Sequence, residues 1–118
     1  LVDDDMRNTF ALSSELEKLG IVTSFARDGQ GALDALKDDP EYDLVLMDIM
    51  MPIMNGYEAI KRIRCQEIFK NLPIIALTAK AMQEDRVKCL EAGANDYLTK
   101  PVDMEKLISL LRVWMCRS

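Results

Sequence analysis

The chain has 118 residues, 49% of them hydrophobic, and a formal net charge of -5. That length suits one domain with a full core, and an acidic balance without any Lys/Arg cluster excludes a nucleic-acid footprint. No run approaches the ~18 apolar residues of a membrane span, and the start has no charged signal-peptide region.

Leu1-Val2 opens the chain as an apolar strand running into Asp3-Asp4-Asp5, and with no initiator Met it reads as a segment of a longer protein. A helix follows, with Asp5 as N-cap, Leu12, Leu16 and Leu19 on one face, and Gly20 as its stop. One capping carboxylate is ordinary. Three together repel unless a cation or basic group sits among them, which leaves Asp3 and Asp4 as candidate site residues. Residues 21–26 alternate weakly as an edge strand, and Gly29 and Gly31 lead to a short helix carrying Leu33 and Leu36.

Residues 44–47 are apolar at every position, the pattern of a central parallel strand covered on both faces, and the run stops at Asp48. Pro52 and Asn55-Gly56 then force a shaped loop before the next helix. In an open α/β sheet that carboxyl edge is where ligands bind, although Asp48 alone reads equally well as a turn or cap residue. Met47, Met50, Met51 and Met54 would suit Cu(I); with no His in the chain and no Cys in the run, they read as filler of irregular apolar gaps.

A helix over Gly56–Arg64 turns Ile60 and Ile63 inward, and residues 74–77 form a second fully apolar strand ending at Thr78. A helix over residues 81–92 directs Met82, Val87 and Leu90 to the core and stops at Gly93. Asp96–Thr99 is a short last strand before Lys100-Pro101, and Asp103 caps a final helix with Met104, Leu107, Ile108, Leu111 and Met115 on its apolar face. Cys65, Cys89 and Cys116 share no metal-ligand spacing and fit reduced, mostly buried thiols of a cytosolic chain.

Five strand–helix alternations predict an α/β fold, a doubly wound five-stranded parallel sheet with helices on both faces. The fully apolar third and fourth strands are central and the more polar second and fifth are edges, so the order is 2-1-3-4-5. Asp3, Asp4 and Asp48 then converge at the switch point, with Thr78 and Lys100 on the same rim.

The set Asp3-Asp4, Asp48 in Met-Asp-Ile-Met-Met-Pro-Ile-Met-Asn-Gly, Leu77-Thr78-Ala79 and Lys100-Pro101 resembles the response-regulator receiver domain over the whole chain. Each motif is weak alone; in this order and at these strand ends they are specific together. Asp5-Met6-Arg7-Asn8 and Ala79-Lys80-Ala81-Met82 are similar to receivers of hybrid sensor histidine kinases.

The resemblance implies a flavodoxin-like fold, a single receiver domain over 1–118 without an output domain, and a cytoplasmic location, in a free protein or in the cytoplasmic part of a membrane-bound sensor kinase. It implies that Asp48 takes a phosphoryl group from a phosphohistidine on a histidine kinase or histidine phosphotransfer domain, with no nucleic acid and no direct membrane contact. The chain would then catalyse only its own phosphorylation and dephosphorylation, and is not a conventional enzyme by itself. The family's metal is Mg2+, with Mn2+ an alternative, held by Asp4, Asp48 and the backbone carbonyl of Met50, with Asp3 acting mainly through water. Three carboxylates against Lys100 leave an excess of two negative charges, which one divalent cation balances. The family uses Thr78 and Tyr97 as its switch, expects a cis bond at Pro101, and associates with partners or itself through helix four, strand five and helix five.

Two rivals use the same kind of sheet. A haloacid-dehalogenase-type phosphohydrolase wants an acid two residues after the nucleophile, where Met50 stands. A flavodoxin-type electron carrier needs a phosphate loop where Asp3 to Asp5 would repel the cofactor.

Overall fold

The computed structural model describes residues 1–2, 6–21, 23–38, 42, 44–49, 56–78, 83–99 and 102–115, without the side chains of 6–8, 83–85 and 115. Two of its strands, β1 (Val45–Asp48) and β2 (Ile74–Thr78), are buried at every position, as uninterrupted apolar sequence covered on both faces requires. The third, β3 (Asp96–Thr99), buries only Leu98. Among the described residues the three are parallel in the order β1-β2-β3. Val2 bridges Ala26 on one side and Met47 on the other, both in parallel.

Side chains alternate across the sheet and divide the core in two. Val45, Met47, Ile49, Ile74 and Ala76 pack with Ala32 and Leu36 of α2 (Gly29–Asp38), Ala59, Ile60 and Ile63 of α3 (Gly56–Arg64), and Cys89 and Ala92 of α4 (Gln83–Ala92). On the opposite face, Leu46, Ile75, Leu77 and Leu98 pack with Leu12 and Leu16 of α1 (Met6–Lys18), and with Leu107 and Leu111 of α5 (Met104–Met115). Each buried Val, Leu, Ile or Met among them contributes about 1.5–3 kcal/mol on burial, so the layers are held by many independent contacts.

Helix ends follow the local sequence. Gly20 and Gly93 take φ of 83° and 118°, where a Cβ would be strained. Each closes a Schellman turn, with Ile21 N–H donating to Leu16 O and Ala94 N–H to Cys89 O. Asp103 caps α5 as expected, its carboxylate accepting from Glu105 N–H at 2.9 Å. Asp28 does the same for α2, accepting from Gly31 N–H at 2.7 Å, and both glycines lie inside that helix. Asp5, the N-cap expected for α1, lies outside the described residues.

Three expected core positions are corrected. Leu19 is 54% exposed because Gly20 ends the helix before another turn can fold it inward. Val87 and Leu90 are each 44% exposed; Cys89 and Ala92 face the sheet instead, small side chains that let α4 lie close. Of the thiols expected to be mostly buried, Cys89 is buried but Cys65 is exposed, and Cys116 lies outside the described residues. A 3-10 turn at Glu67–Phe69 places Phe69 in the core, which the chain's periodicity did not indicate.

Candidate functional site

At the carboxyl edge of the sheet two strands end in polar residues that are nonetheless buried. Asp48 closes β1 and is 2% exposed; Thr78 closes β2 and is 4% exposed. The backbone fixes Asp48 on both sides. Its N–H donates to Val2 O at 2.8 Å, and the following N–H, of Ile49, donates to Leu77 O at 2.9 Å. In register Asp48 stands beside Leu77, so Thr78 lies one residue further along the edge, opposite Thr99 of β3. By the alternation of β2, Thr78 shares the α3–α4 face with Ala76. Tyr97 pairs with Ala76 and is half-buried against the same cluster. The two expected switch residues are thus on one face of adjacent strands.

The loop after Asp48 is pinched shut at its base. Gly56 N–H donates to Ile49 O at 2.9 Å, and a Cβ on Gly56 would stand 2.7 Å from Ile49 Cα and press on the Asp48 carbonyl oxygen. Asn55-Gly56 reads in the sequence only as a turn; that Gly56 must let α3 touch the end of β1 is a tertiary demand.

Asp3, Asp4, Met50, Lys100 and Pro101 lie outside the described residues. Val2, bridged between Ala26 and Met47, precedes Asp3 and Asp4 directly in the chain. Among the described residues no three His, Cys, Asp or Glu side chains gather as a metal centre. The donor at hand still fits a hard cation: Asp48 is a buried carboxylate at a strand end, in a chain without histidine. Among the described residues no helix is long and apolar enough to cross a membrane.

A fully buried parallel strand ending in a carboxylate, beside a neighbour ending in a buried hydroxyl, places two polar groups at the edge of an α/β sheet where ligands bind. The family model of the response regulator receiver domain matches residues 1–112, and the chain belongs to that family, the receiver domains of two-component and phosphorelay signalling. It is 42% identical over 118 residues to the transcriptional regulatory protein CpxR of Escherichia coli, covering 100% of this chain and 49% of that protein. The chain therefore spans about half the length of that curated relative. Its fold matches the receiver domain of the sensor histidine kinase PA1611 of Pseudomonas aeruginosa, whose structure has a magnesium ion coordinated in the active site cleft. There the TM-score is 0.89 and the identity 40%, over 98% of this chain and 94% of that one. It also matches the receiver of Ssk1 from Saccharomyces cerevisiae, solved with the histidine phosphotransfer protein Ypd1, with a TM-score of 0.91 and 36% identity over 98% and 86% of the two chains.

Proposed function

We propose that this receiver accepts a phosphoryl group on Asp48 from a phosphohistidine of a histidine kinase or histidine phosphotransfer domain. A carboxylate oxygen of Asp48 attacks phosphorus, the P–O bond forms as the P–N bond breaks, and the imidazole keeps the bonding pair and takes a proton from solvent. With no His in the chain, the donor is another domain. Asp4, Asp48 and the Met50 carbonyl would hold Mg2+, or Mn2+ in its place, with Asp3 contributing through water. When bound, the ion offsets charge on the phosphoryl oxygens. Lys100 supplies a second positive charge, and Thr78 donates its hydroxyl to the phosphoryl group. Burial of Asp48 strengthens each of these charge interactions relative to water.

The observation that carries this reading is the register that sets Thr78 one residue beyond Asp48 on the next strand, both buried. The five-stranded order 2-1-3-4-5 in one domain over 1–118 belongs to the same reading, and the paired bridges of Val2 support it. Thr78 and Tyr97, on one face, couple the acceptor to the surface formed by α4, β3 and α5, which serves partner binding or self-association. The Ssk1–Ypd1 complex and the kinase receiver with its magnesium ion favour these partners and this ion. A cytoplasmic location completes the proposal. Intact-mass measurement with Mg2+ and a small acyl-phosphate donor tests it: one phosphoryl mass should appear on the chain and not on Asp48→Asn.

A further inference from the structure

Arg64 ends α3, on a helix whose other basic residues, Lys61 and Arg62, are exposed, yet its guanidinium turns inward. Nε donates to Gly93 O at 2.9 Å, Nη1 to Phe69 O at 2.8 Å and Lys70 O at 3.3 Å, and Nη2 to Asn95 Oδ1 at 2.6 Å. The same Asn95 oxygen accepts from Ile74 N–H at 2.9 Å, while Asn95 N–H donates to Ile74 O at 2.7 Å. All four of these acceptors are neutral oxygens, three of them carbonyls that follow or close helical turns, where a cation is favoured. Burial lowers the Arg64 pKa from its ordinary value.

Gly93 is required twice over at this junction. Its φ of +118° suits glycine, and a Cβ there would meet Arg64 Cγ at 2.6 Å. One guanidinium therefore joins the end of α3, the 3-10 turn, the exit of α4 and, through Asn95, the start of β2.

We propose that Arg64 is a positioning residue that, with Asn95, anchors the carboxyl end of α4 and the amino end of β3, so that α4 answers Thr78 by moving its amino end about this point. The inference rests on the proposed switching role of Thr78. Lysine cannot replace the planar fork, because a single ammonium has no geometry that reaches this spread of oxygens. Asn95→Asp keeps the shared oxygen; Asn95→Ala removes it.

Amide exchange over the whole chain tests this, for the parent, Arg64→Lys, Asn95→Ala and Asn95→Asp, each free and with Mg2+ plus beryllofluoride as the phosphoryl mimic. In the free state, exchange at Gly93, Ala94 and Asn95 rises by about tenfold or more in Arg64→Lys and Asn95→Ala, as expected for losing a charge-assisted hydrogen bond. It stays near the parent in Asn95→Asp. With the mimic, the parent changes at residues 83–88 and not at 93–95, and in Arg64→Lys the change spreads to 93–95. Parent-like protection of 93–95 in both Arg64→Lys and Asn95→Ala overturns the anchor, as does a parent response equally large at 83–88 and 93–95. A parent with no response anywhere in α4 overturns the switching reading and the pivot together, and the free-state comparison then separates that failure from failure of the clamp.

Discussion

Gly56, the first residue of α3, lies directly on the backbone of Asp48, the last residue of β1, with no room for a Cβ between them. The atoms in the way belong mainly to the backbone, at Asp48 O and Ile49 Cα, and cannot rotate aside. Gly56→Ala should therefore cost about 1–3 kcal/mol in urea unfolding, the usual range for overpacking. It should also slow labelling of Asp48 more than an equally destabilising change remote from the edge, such as Ile63→Val. Equal slowing by both would mean that stability alone is being read.

Removing Asp4 should weaken Mg2+ binding more than removing Asp3, since Asp4 is the proposed direct ligand. Phosphorylation rate against Mg2+ concentration, or calorimetry, gives the ranking for Asp4→Ala and Asp3→Ala. The reverse order would reassign the ligands.

Thr78→Ala should leave Asp48 able to accept phosphoryl while uncoupling the distant surface. The proposed hydrogen bond to the phosphoryl group would be charge-assisted and worth about 1.5–3 kcal/mol, enough to shift a two-state equilibrium about tenfold to a hundredfold. Amide exchange of residues 78–99 with and without beryllofluoride should show a diminished response. An undiminished one would route the coupling elsewhere.

Stability changes should follow the observed burial of α3 and α4. Ile60 is fully buried, so Ile60→Ala should cost about 2–5 kcal/mol. Val87→Ser and Leu90→Ser, at exposed positions, should each stay within about 0.5 kcal/mol in urea unfolding. If the α4 surface carries association, the same pair should weaken phosphorylation-dependent self-association measured by sedimentation. A large loss of stability at Leu90 would place it in the core after all.

Much of this architecture is legible in residue pattern. Residues 44–47 and 74–77 read as central strands because apolar residues at every position leave no solvent face, and Gly20 and Gly93 read as stops because glycine is the common residue just past a helix end, which their positive φ values bear out. The candidate site is read from where those apolar runs break, at Asp48 and Thr78, and the structure buries both of these residues. The inward face of α4 did not follow. Its larger apolar residues, Val87 and Leu90, point outward, while Cys89 and Ala92 do the packing, and size gives no warning when close approach is what matters. Arg64 was equally silent, since a charged residue at a helix end normally reads as solvated; only the fold brings Gly93, Asn95 and Phe69 around it. Phe69 entered the core through a 3-10 turn too short to leave a period.

The central claim is that Asp48 is the phosphoacceptor and that the transfer needs a divalent cation. Intact-mass measurement of the 118-residue chain, incubated with a small acyl-phosphate donor in Mg2+ or in chelator, with Asp48→Asn alongside, tests it most directly. One added phosphoryl mass is predicted for the parent in Mg2+ and none in chelator or in Asp48→Asn. Equal labelling in chelator, or full labelling of Asp48→Asn, would contradict the assignment.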